Sequence, residues 1–164
     1  MDRRTLLSTV AAMAAAAVAA LLSFPALAYL LSPLRRGARK DEWVDLGPAD
    51  SMPDGVPALV AYELPIADGW SKRALPASAW VTRRGSDFQI LTSVCPHLGC
   101  AVRFDRARGE FACPCHASAF APDGRRLSGP SPRDLDPLEF RVERGRLLAR
   151  HAEYRAGAAD RVPA

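Results

Sequence analysis

The placement of the cysteines and histidines constrains this fold more than any other feature. The stretches "CPHLGC" and "CPCHAS", residues 95–100 and 113–118, contain all four cysteines and two of the three histidines of the 164-residue chain. Between them, the stretch "AVRFDRARGEF", residues 101–111, has the strand–turn–strand pattern of a hairpin. Because a hairpin folds back on itself, we predict two neighbouring loops that share one site.

Several kinds of site are compatible with these residue types. The outer pairs, Cys95-x-His97 and Cys113-x-x-His116, each offer one thiol and one imidazole. Thiolates and imidazoles bind both zinc and iron–sulfur clusters, although structural zinc more often uses closed C-x-x-C or H-x-x-x-H pairs. Structural disulfides are an alternative for an exported domain. From the residue types alone, these three alternatives stay open.

The two stretches resemble the motifs of the Rieske 2Fe–2S proteins, which have C-x-H followed later in the chain by C-x-x-H. In that family two cysteines bind one iron and two histidines bind the other. The resemblance implies that Cys95 and Cys113 bind one iron of a 2Fe–2S cluster, and that His97 and His116 bind the second. The later stretch "SGPSPRDLDPLEF" is similar to the proline loop that covers the cluster in that family.

The resemblance also implies supporting roles around the cluster. Members with similar "CTHLGC" and "CPCHGS" stretches carry a disulfide between the two loops, which corresponds here to Cys100 and Cys115. Other residues expected to surround or support the cluster are Leu98, Gly99, Ser118, Phe120, Gly129 and Pro130.

Two departures from the family pattern follow His116. Ala117 replaces the usual glycine, and the sequence offers no reason for this change. Phe120 occupies the position at which high-potential members have a tyrosine, whose hydroxyl donates a hydrogen bond to a cysteine sulfur, here Cys95. A lost donor leaves the reduced cluster less stabilised. We therefore predict a lower midpoint potential than in ubiquinol-type members, which favours menaquinol.

The amino-terminal segment has a different character. It has no charged residue from Thr5 to Leu34, and about 20 apolar residues are enough to span a bilayer as a helix. Arg3 and Arg4 precede this run and resemble a twin-arginine export signal. The "ALA" at 26–28 is a candidate cleavage site. We favour an uncleaved signal-anchor because the apolar run continues past it, but removal of residues 1–28 stays open.

The expected location is the inner cell membrane, crossed once, with the globular domain on the outer or periplasmic face. A disulfide fits that oxidising side. The basic residues Arg35, Arg36, Arg39 and Lys40 follow the span and would favour a cytoplasmic position by the positive-inside tendency. Twin-arginine export of a folded domain would override this tendency.

The remainder of the chain predicts an all-β domain. Short runs rich in Val, Phe, Trp, Tyr and Ile alternate with Gly, Pro, Asp and Ser. The predicted strands are 42–47, 58–65, 79–85, 87–94, 100–105, 110–114, 138–144 and 145–150, with hairpin loops at 84–87, 106–109 and 143–146. The Rieske resemblance specifies an antiparallel β sandwich or barrel with a cluster-binding loop subdomain.

We expect four divisions of the chain. They are a signal-anchor helix at 1–34, a flexible tether at 35–42 in which Gly37 permits bending, a Rieske domain at 43–150 and a carboxyl-terminal tail at 151–164. The tail has no clear hydrophobic period, so we expect it to be loosely held. We expect His151, which lies outside the motifs, to be a surface residue.

The resemblance implies an electron-transfer function. The net charge is only +4 and the arginines are scattered, which gives no support for nucleic-acid binding. The expected function is the membrane-anchored iron–sulfur subunit of a bacterial cytochrome bc complex, a quinol–cytochrome c reductase. In that role His116 contacts the quinol and accepts its proton, while the electron passes to a c-type cytochrome.

The expected partners are therefore a cytochrome b subunit, a c-type cytochrome and quinol. Because the quinol pocket and the haems lie on these partners, the chain is not expected to be catalytic alone. The alternative is the small subunit of a periplasmic enzyme of the arsenite-oxidase type.

Overall fold

The computed structural model describes residues 2–35, 42–68 and 71–164. The chain divides into two compact units, Met1–Lys40 and Asp41–Ala164. The predicted tether at 35–42, with Gly37, falls almost wholly outside the described residues and stays a prediction.

The first unit contains one helix, α1, Arg3–Arg35. Its alanines and leucines are strong helix formers, and the helix continues through Pro25 and Pro33. Residues Arg3–Leu31 have a mean hydropathy of 2.1. By length and composition this stretch is sufficient to cross a membrane.

The second unit contains ten strands in the part that the structure describes. They are β1 Glu42–Pro48, β2 Ala58–Asp68, β3 Ser71–Arg84, β4 Asp87–Thr92, β5 Arg103–Asp105, β6 Glu110–Ala112, β7 Ala119–Phe120, β8 Arg126–Ser128, β9 Phe140–Glu143 and β10 Arg146–His151. They form three antiparallel sheets, with strand orders β1-β10-β9, β2-β3-β4 and β5-β6-β7-β8. The predicted antiparallel all-β class is confirmed.

The middle sheet is buried on both faces where β3 and β4 pair. Ala79 and Val81 belong to a core shared with the β1-β10-β9 sheet, whereas Trp80 belongs to a second core shared with the β5-β6-β7-β8 sheet. Because successive strand residues point to opposite faces, one strand serves both cores. The second core also contains Cys95 and Cys113, so the cluster loops are built on apolar packing.

The predicted hairpins are confirmed by the register. Arg84 pairs with Asp87, Asp105 with Glu110, and Glu143 with Arg146. The sequence pattern missed β7 and β8, which have only two and three residues. Strands this short carry no readable alternation, so their existence depends on pairing with neighbours.

The expectation of a loosely held tail is wrong. Tyr154 pairs with Pro163 in an isolated bridge, and the N–H of Arg155 donates to the carbonyl of Val162 at 2.8 Å. The tail therefore folds back on itself. Its backbone hydrogen bonds supply an order that a side-chain pattern does not reveal.

The expectation that His151 is a surface residue is also wrong. Its side chain is only 15% exposed, and its Nδ1 lies 2.9 Å from the hydroxyl of Tyr62. Burial raises the pKa of Tyr62 to about 12, with Glu153 adding to the effect. His151 ends β10 and faces β2, so its environment is set by sheet packing rather than by its polar neighbours in the sequence.

Candidate metal centre

The first loop lies between β4 and β5 and closes on its own backbone. The N–H of Cys95 donates to the carbonyl of Cys100 at 2.7 Å, and the N–H of Gly99 donates to the carbonyl of Cys95 at 3.0 Å. Gly99 has φ +80, a conformation that favours glycine. Cys95 is fully buried, His97 is partly exposed and Leu98 is 62% exposed. The loop thus places a thiol inside and an apolar side chain outside.

The second loop lies between β6 and β7 and is closed by a 2.8 Å hydrogen bond from the N–H of Cys113 to the carbonyl of Ser118. Cys113 and Ser118 are buried, whereas His116 is exposed. Ala117 has φ +56, in the left-handed region where a Cβ causes strain. This conformation explains why the family usually has glycine here.

The β5–β6 hairpin brings the two loops together, and the structure joins Cys100 and Cys115 by a disulfide. The rings of His97 and His116 are perpendicular, with their centroids 4.8 Å apart. The thiols of Cys95 and Cys113 lie within hydrogen-bond reach of each other. Each loop therefore contributes one free thiol and one imidazole to the same place.

Three sulfur atoms also lie within 4.8 Å of one another, those of Cys100, Cys113 and Cys115. The disulfide consumes two of these thiols. Since thiolates, not disulfides, are the ligands of zinc and iron–sulfur clusters, only Cys113 of these three can bind a metal. The distance alone does not define a metal site.

The donors fit a 2Fe–2S cluster with mixed ligands. The Nδ1 atom of His97 is buried and has no hydrogen-bond partner among the described residues, and a buried polar atom without a partner is costly unless a ligand satisfies it. Cys95 and Cys113 are the free cysteines of the described chain, and both are buried. Two thiols and two imidazoles are the Rieske donor set.

The surroundings of Cys95 tune its sulfur. Burial raises the pKa of the Cys95 thiol, and the neighbouring thiol of Cys113 adds to this. The N–H of His97 and the hydroxyl of Ser118 donate hydrogen bonds to the Cys95 sulfur and act in the opposite direction. These donors are of the kind that stabilises negative charge on a ligand sulfur.

The proline loop, residues 129–137, packs closely on the second cluster loop. A Cβ added to Gly129 would lie 2.4 Å from the Cα of Ser118, and Gly129 has φ +88. The N–H of Ser131 donates to the hydroxyl of Ser118 at 3.1 Å. Pro130 is exposed. Glycine at 129 is therefore required by both its conformation and the space available.

Phe120 is fully buried and belongs to the same core as Cys95 and Cys113. Phe120 thus lies in the core on which the two thiols are built, and the role expected from its position stays a prediction. A phenyl ring in this position fills space but cannot donate to a sulfur.

The motifs gave no indication of a buried ion pair within the proline loop. Arg133 binds Asp136 through two hydrogen bonds, Nε to Oδ1 at 2.9 Å and Nη2 to Oδ2 at 2.8 Å. The two side chains are only 8% and 5% exposed. The available signal was the sequence "PRDLDP", in which an arginine and an aspartate stand three positions apart beside a buried leucine.

The chain is similar to several known iron–sulfur proteins. The chain is 30% identical over 146 residues to the menaquinol:cytochrome c reductase iron-sulfur subunit of Geobacillus thermodenitrificans, with 86% of each chain covered. It is 26% identical over 147 residues to the cytochrome b6-f complex iron-sulfur subunit of Chlorobaculum tepidum, covering 90% of this chain and 74% of the relative. The crystal structure of the plasma membrane Rieske protein PetC3 from Synechocystis PCC 6803 is 25% identical with a TM-score of 0.43, covering 66% of this chain and 99% of that one.

A family model described as the Rieske [2Fe-2S] domain matches residues 42–139, which is more than half of the chain. The matched range contains both cluster loops and the proline loop. The chain belongs to the Rieske [2Fe–2S] family, and its cofactor is a 2Fe–2S cluster.

Proposed function

We propose that this protein is the Rieske iron–sulfur subunit of a cytochrome bc complex, in which it accepts one electron from menaquinol and passes it to a c-type cytochrome. Relatives named as menaquinol:cytochrome c reductase and cytochrome b6-f iron-sulfur subunits support this assignment. Their names favour it over the arsenite-oxidase alternative. As an electron-transfer subunit, the chain requires its partners for turnover.

We assign Cys95 and Cys113 to one iron, and His97 and His116 to the other. The bound cluster supplies a one-electron acceptor whose two neutral ligands give it a higher potential than an all-cysteine cluster. The buried, unpartnered Nδ1 of His97 supports ligation through that atom. Ligation through one ring nitrogen leaves the second free to hold a proton.

The observation that carries the proposal is the exposure of His116 in a site whose thiols are buried. Its imidazole reaches solvent beside His97, so a quinol in a partner subunit has access to it. In the proposed role, the ring nitrogen of His116 that does not bind iron hydrogen-bonds to the quinol and receives its proton.

The surface around His116 has the character of a docking tip. Leu98 is 62% exposed, and Pro114 and Pro130 are exposed in the other two loops that frame the site. Exposed apolar side chains of this kind are suited to an apolar partner surface. We assign this tip to contact with the cytochrome b subunit.

The preference for menaquinol depends on Phe120, which is buried in the same core as the two thiols and has no hydroxyl. A cluster with fewer donors to its sulfurs has a lower potential, which suits a quinol of lower potential. The name of the Geobacillus relative supports the same quinol.

The proposed location is one membrane crossing by α1 with the cluster domain on the outer face. The apolar stretch Arg3–Leu31 supports the crossing, and the Cys100–Cys115 disulfide supports an oxidising compartment. The twin-arginine signal at Arg3 and Arg4 stays a prediction.

Membranes from cells that lack this chain test the proposal. We expect menaquinol-dependent reduction of cytochrome c to be lost and to return with the wild-type chain. Retention of that activity in the deletion strain, or loss of arsenite oxidation in its place, would contradict the proposal. A His116→Ala variant that kept both its cluster and full quinol oxidation would remove the role assigned to His116.

The docking tip is tested by Leu98→Asp in the assembled complex, with Val142→Asp on β9 as its control because Val142 is also exposed, at 47%. We expect the first variant to slow quinol oxidation at least tenfold with an unchanged paramagnetic spectrum, and the control to be active. Equal activity of the two variants would exclude Leu98 from docking.

A further inference from the structure

The carboxyl-terminal segment 152–164, which we call the strap, lies against the first cluster loop. The N–H of Gly157 donates to the carbonyl of Pro96 at 2.8 Å, and Pro96 stands between Cys95 and His97. Gly157 has φ +76, and a Cβ there would lie 3.8 Å from the carbonyl oxygen of His97. Its glycine is thus required by conformation, at the point where strap and loop meet.

The strap holds its own shape through backbone hydrogen bonds. Besides the Tyr154–Pro163 bridge, the N–H of Ala164 donates to the carbonyl of Glu153 at 2.9 Å. The strap is consequently a small folded unit, so its hydrogen bond to Pro96 is made by an ordered segment.

Arg133 of the proline loop anchors the strap. Its Nη1 donates to the carbonyls of Arg155 and Ala158, on either side of Gly157. Its Nε and Nη2 donate to the carboxylate of Asp136, whose Oδ1 also lies 3.3 Å from Nε of Arg161 in the strap. The Arg133 guanidinium, whose planar group offers several donors, therefore joins the strap to the proline loop, and the Arg161–Asp136 ion pair is a second link.

Asp136 extends this network to the base of the first cluster loop. Its carbonyl accepts a hydrogen bond from the N–H of Thr92 at 2.8 Å, and Thr92 ends β4, three residues before Cys95. Hydrogen bonds from the proline loop and the strap therefore reach the first loop at two places. They are Thr92 at its base and Pro96 beside its proposed ligands.

Apolar packing accounts for only part of the position of the strap, at Ala152, which packs against the core shared by the first two sheets. A cavity of about 450 Å³ lies between the strap and the domain, and its lining includes Ser93, Cys95, Pro96, Tyr154, Ala156 and Ala164. A cavity lacks the close contacts of a packed core. The polar anchors at Arg133 and Gly157 must therefore supply much of the attachment.

We propose that the strap is a positioning element for the cluster, and that Arg133 and Gly157 are its positioning residues. By holding the carbonyl of Pro96, the strap fixes the backbone that carries Cys95 and His97 and limits access to the cluster from the cavity side. This inference rests on the proposed ligand set but not on the quinol reaction.

The first test removes residues 155–164 from the full chain. Arg133 then keeps Asp136 as its partner, so no buried charge is left unpaired, which would be strongly destabilising. We expect the rate of cluster loss to a chelator, followed by visible absorption, to rise at least about fivefold, the effect of one ordinary hydrogen bond. Amide hydrogen exchange at His97 and Leu98 should accelerate similarly. Unchanged cluster loss and exchange would overturn the proposal.

The second test applies if truncation lowers the unfolding temperature. Gly157→Ala is compared with Gly145→Ala, since the two glycines have φ +76 and +75 and neither has a close side-chain obstacle. Both variants carry the same strain, but only Gly157 touches the cluster loop. Faster cluster loss and a changed paramagnetic spectrum in Gly157→Ala, but not in Gly145→Ala, would support the proposal. Equal behaviour of the two variants would overturn it.

The same samples separate this inference from the assignment of the ligands. A wild-type chain without a Rieske-type paramagnetic signal would refute the ligand set. If the wild-type chain has that signal and the variants match it in every measurement, only the proposal for the strap is refuted.

Discussion

The two cluster loops have similar motifs but different supports. The first is held from the cavity side by the strap at Pro96, and its His97 is partly buried. The second is held by the proline loop through Gly129 and Ser131, and its His116 is exposed. The motifs therefore specify which residues can bind iron, whereas the packing around each loop decides which imidazole can meet a partner.

Of the changes that test this comparison, Cys113→Ser is expected to have the largest effect, because it removes the thiol of the second loop. A serine hydroxyl is a poor replacement for a soft thiolate ligand, so we expect the purified chain to contain no 2Fe–2S cluster. Iron and sulfide analysis measures this directly. A full complement of both in the variant would exclude Cys113 as a ligand.

The double change Cys100→Ser with Cys115→Ser removes the covalent link but no proposed ligand. The two cysteines are separated by 15 residues, and closing a loop of this size stabilises a fold by about 3 kcal/mol. We expect that loss in denaturant unfolding, with the cluster still assembled in the native protein. A stability change under about 1 kcal/mol, or complete loss of the cluster, would contradict this division between ligands and link.

Gly129→Ala disturbs the contact between the proline loop and the second cluster loop and leaves the strap unchanged. The added Cβ meets the backbone of Ser118, and overpacking of this kind costs about 2 kcal/mol beyond the strain shared with the control Gly145→Ala. Denaturant unfolding of both variants measures the difference. Equal stability of the two variants would show that the proline loop can shift away from Ser118.

Phe120→Tyr introduces a hydroxyl into the core that contains the two thiols. If it donates one hydrogen bond of about 1 kcal/mol to a ligand sulfur, the midpoint potential should rise by about 40 mV. Redox titration of the paramagnetic signal measures the shift, and Phe104→Tyr in the same core is the control because Phe104 is partly exposed. An unchanged or lower potential in the first variant would refute the role given to Phe120.

The smallest effect is expected from Ala117→Gly. Ala117 has φ +56, so glycine relieves about 1 kcal/mol of strain, partly offset by greater freedom of the unfolded chain. We expect a gain of about 0.5 kcal/mol with an unchanged paramagnetic spectrum. Arg144→Gly, at φ +49 in the β9–β10 turn, should gain similarly. Destabilisation by Ala117→Gly would mean that its methyl group is needed in the second loop.

The sequence predicted the features that depend on local patterns. Short runs of β-branched and aromatic residues, alternating with turn residues, indicated the principal strands. Loop residues such as Gly85 and Gly145 indicated the hairpins that the register confirms. The motif spacing predicted that the loops would meet, because one hairpin separates them. The assignment of Cys95, His97, Cys113 and His116 as ligands stays a prediction.

The features that were missed depend on contacts between distant residues. Arg133 binds the carbonyls of Arg155 and Ala158. Because every residue has a backbone carbonyl, no side-chain pattern predicts which ones an arginine will bind. His151 is mostly shielded from solvent because it reaches Tyr62 on another sheet. The strained backbone at Ala117 has the same origin, since its φ is visible only once the loop is closed.

The most direct test of the central claim is pulsed electron paramagnetic resonance of the reduced, full-length chain labelled with ¹⁵N-histidine. The ligand set of Cys95, Cys113, His97 and His116 predicts that two histidine nitrogens couple strongly to the cluster spin, although the chain has three histidines. Coupling to one histidine nitrogen, or to none, would contradict the account.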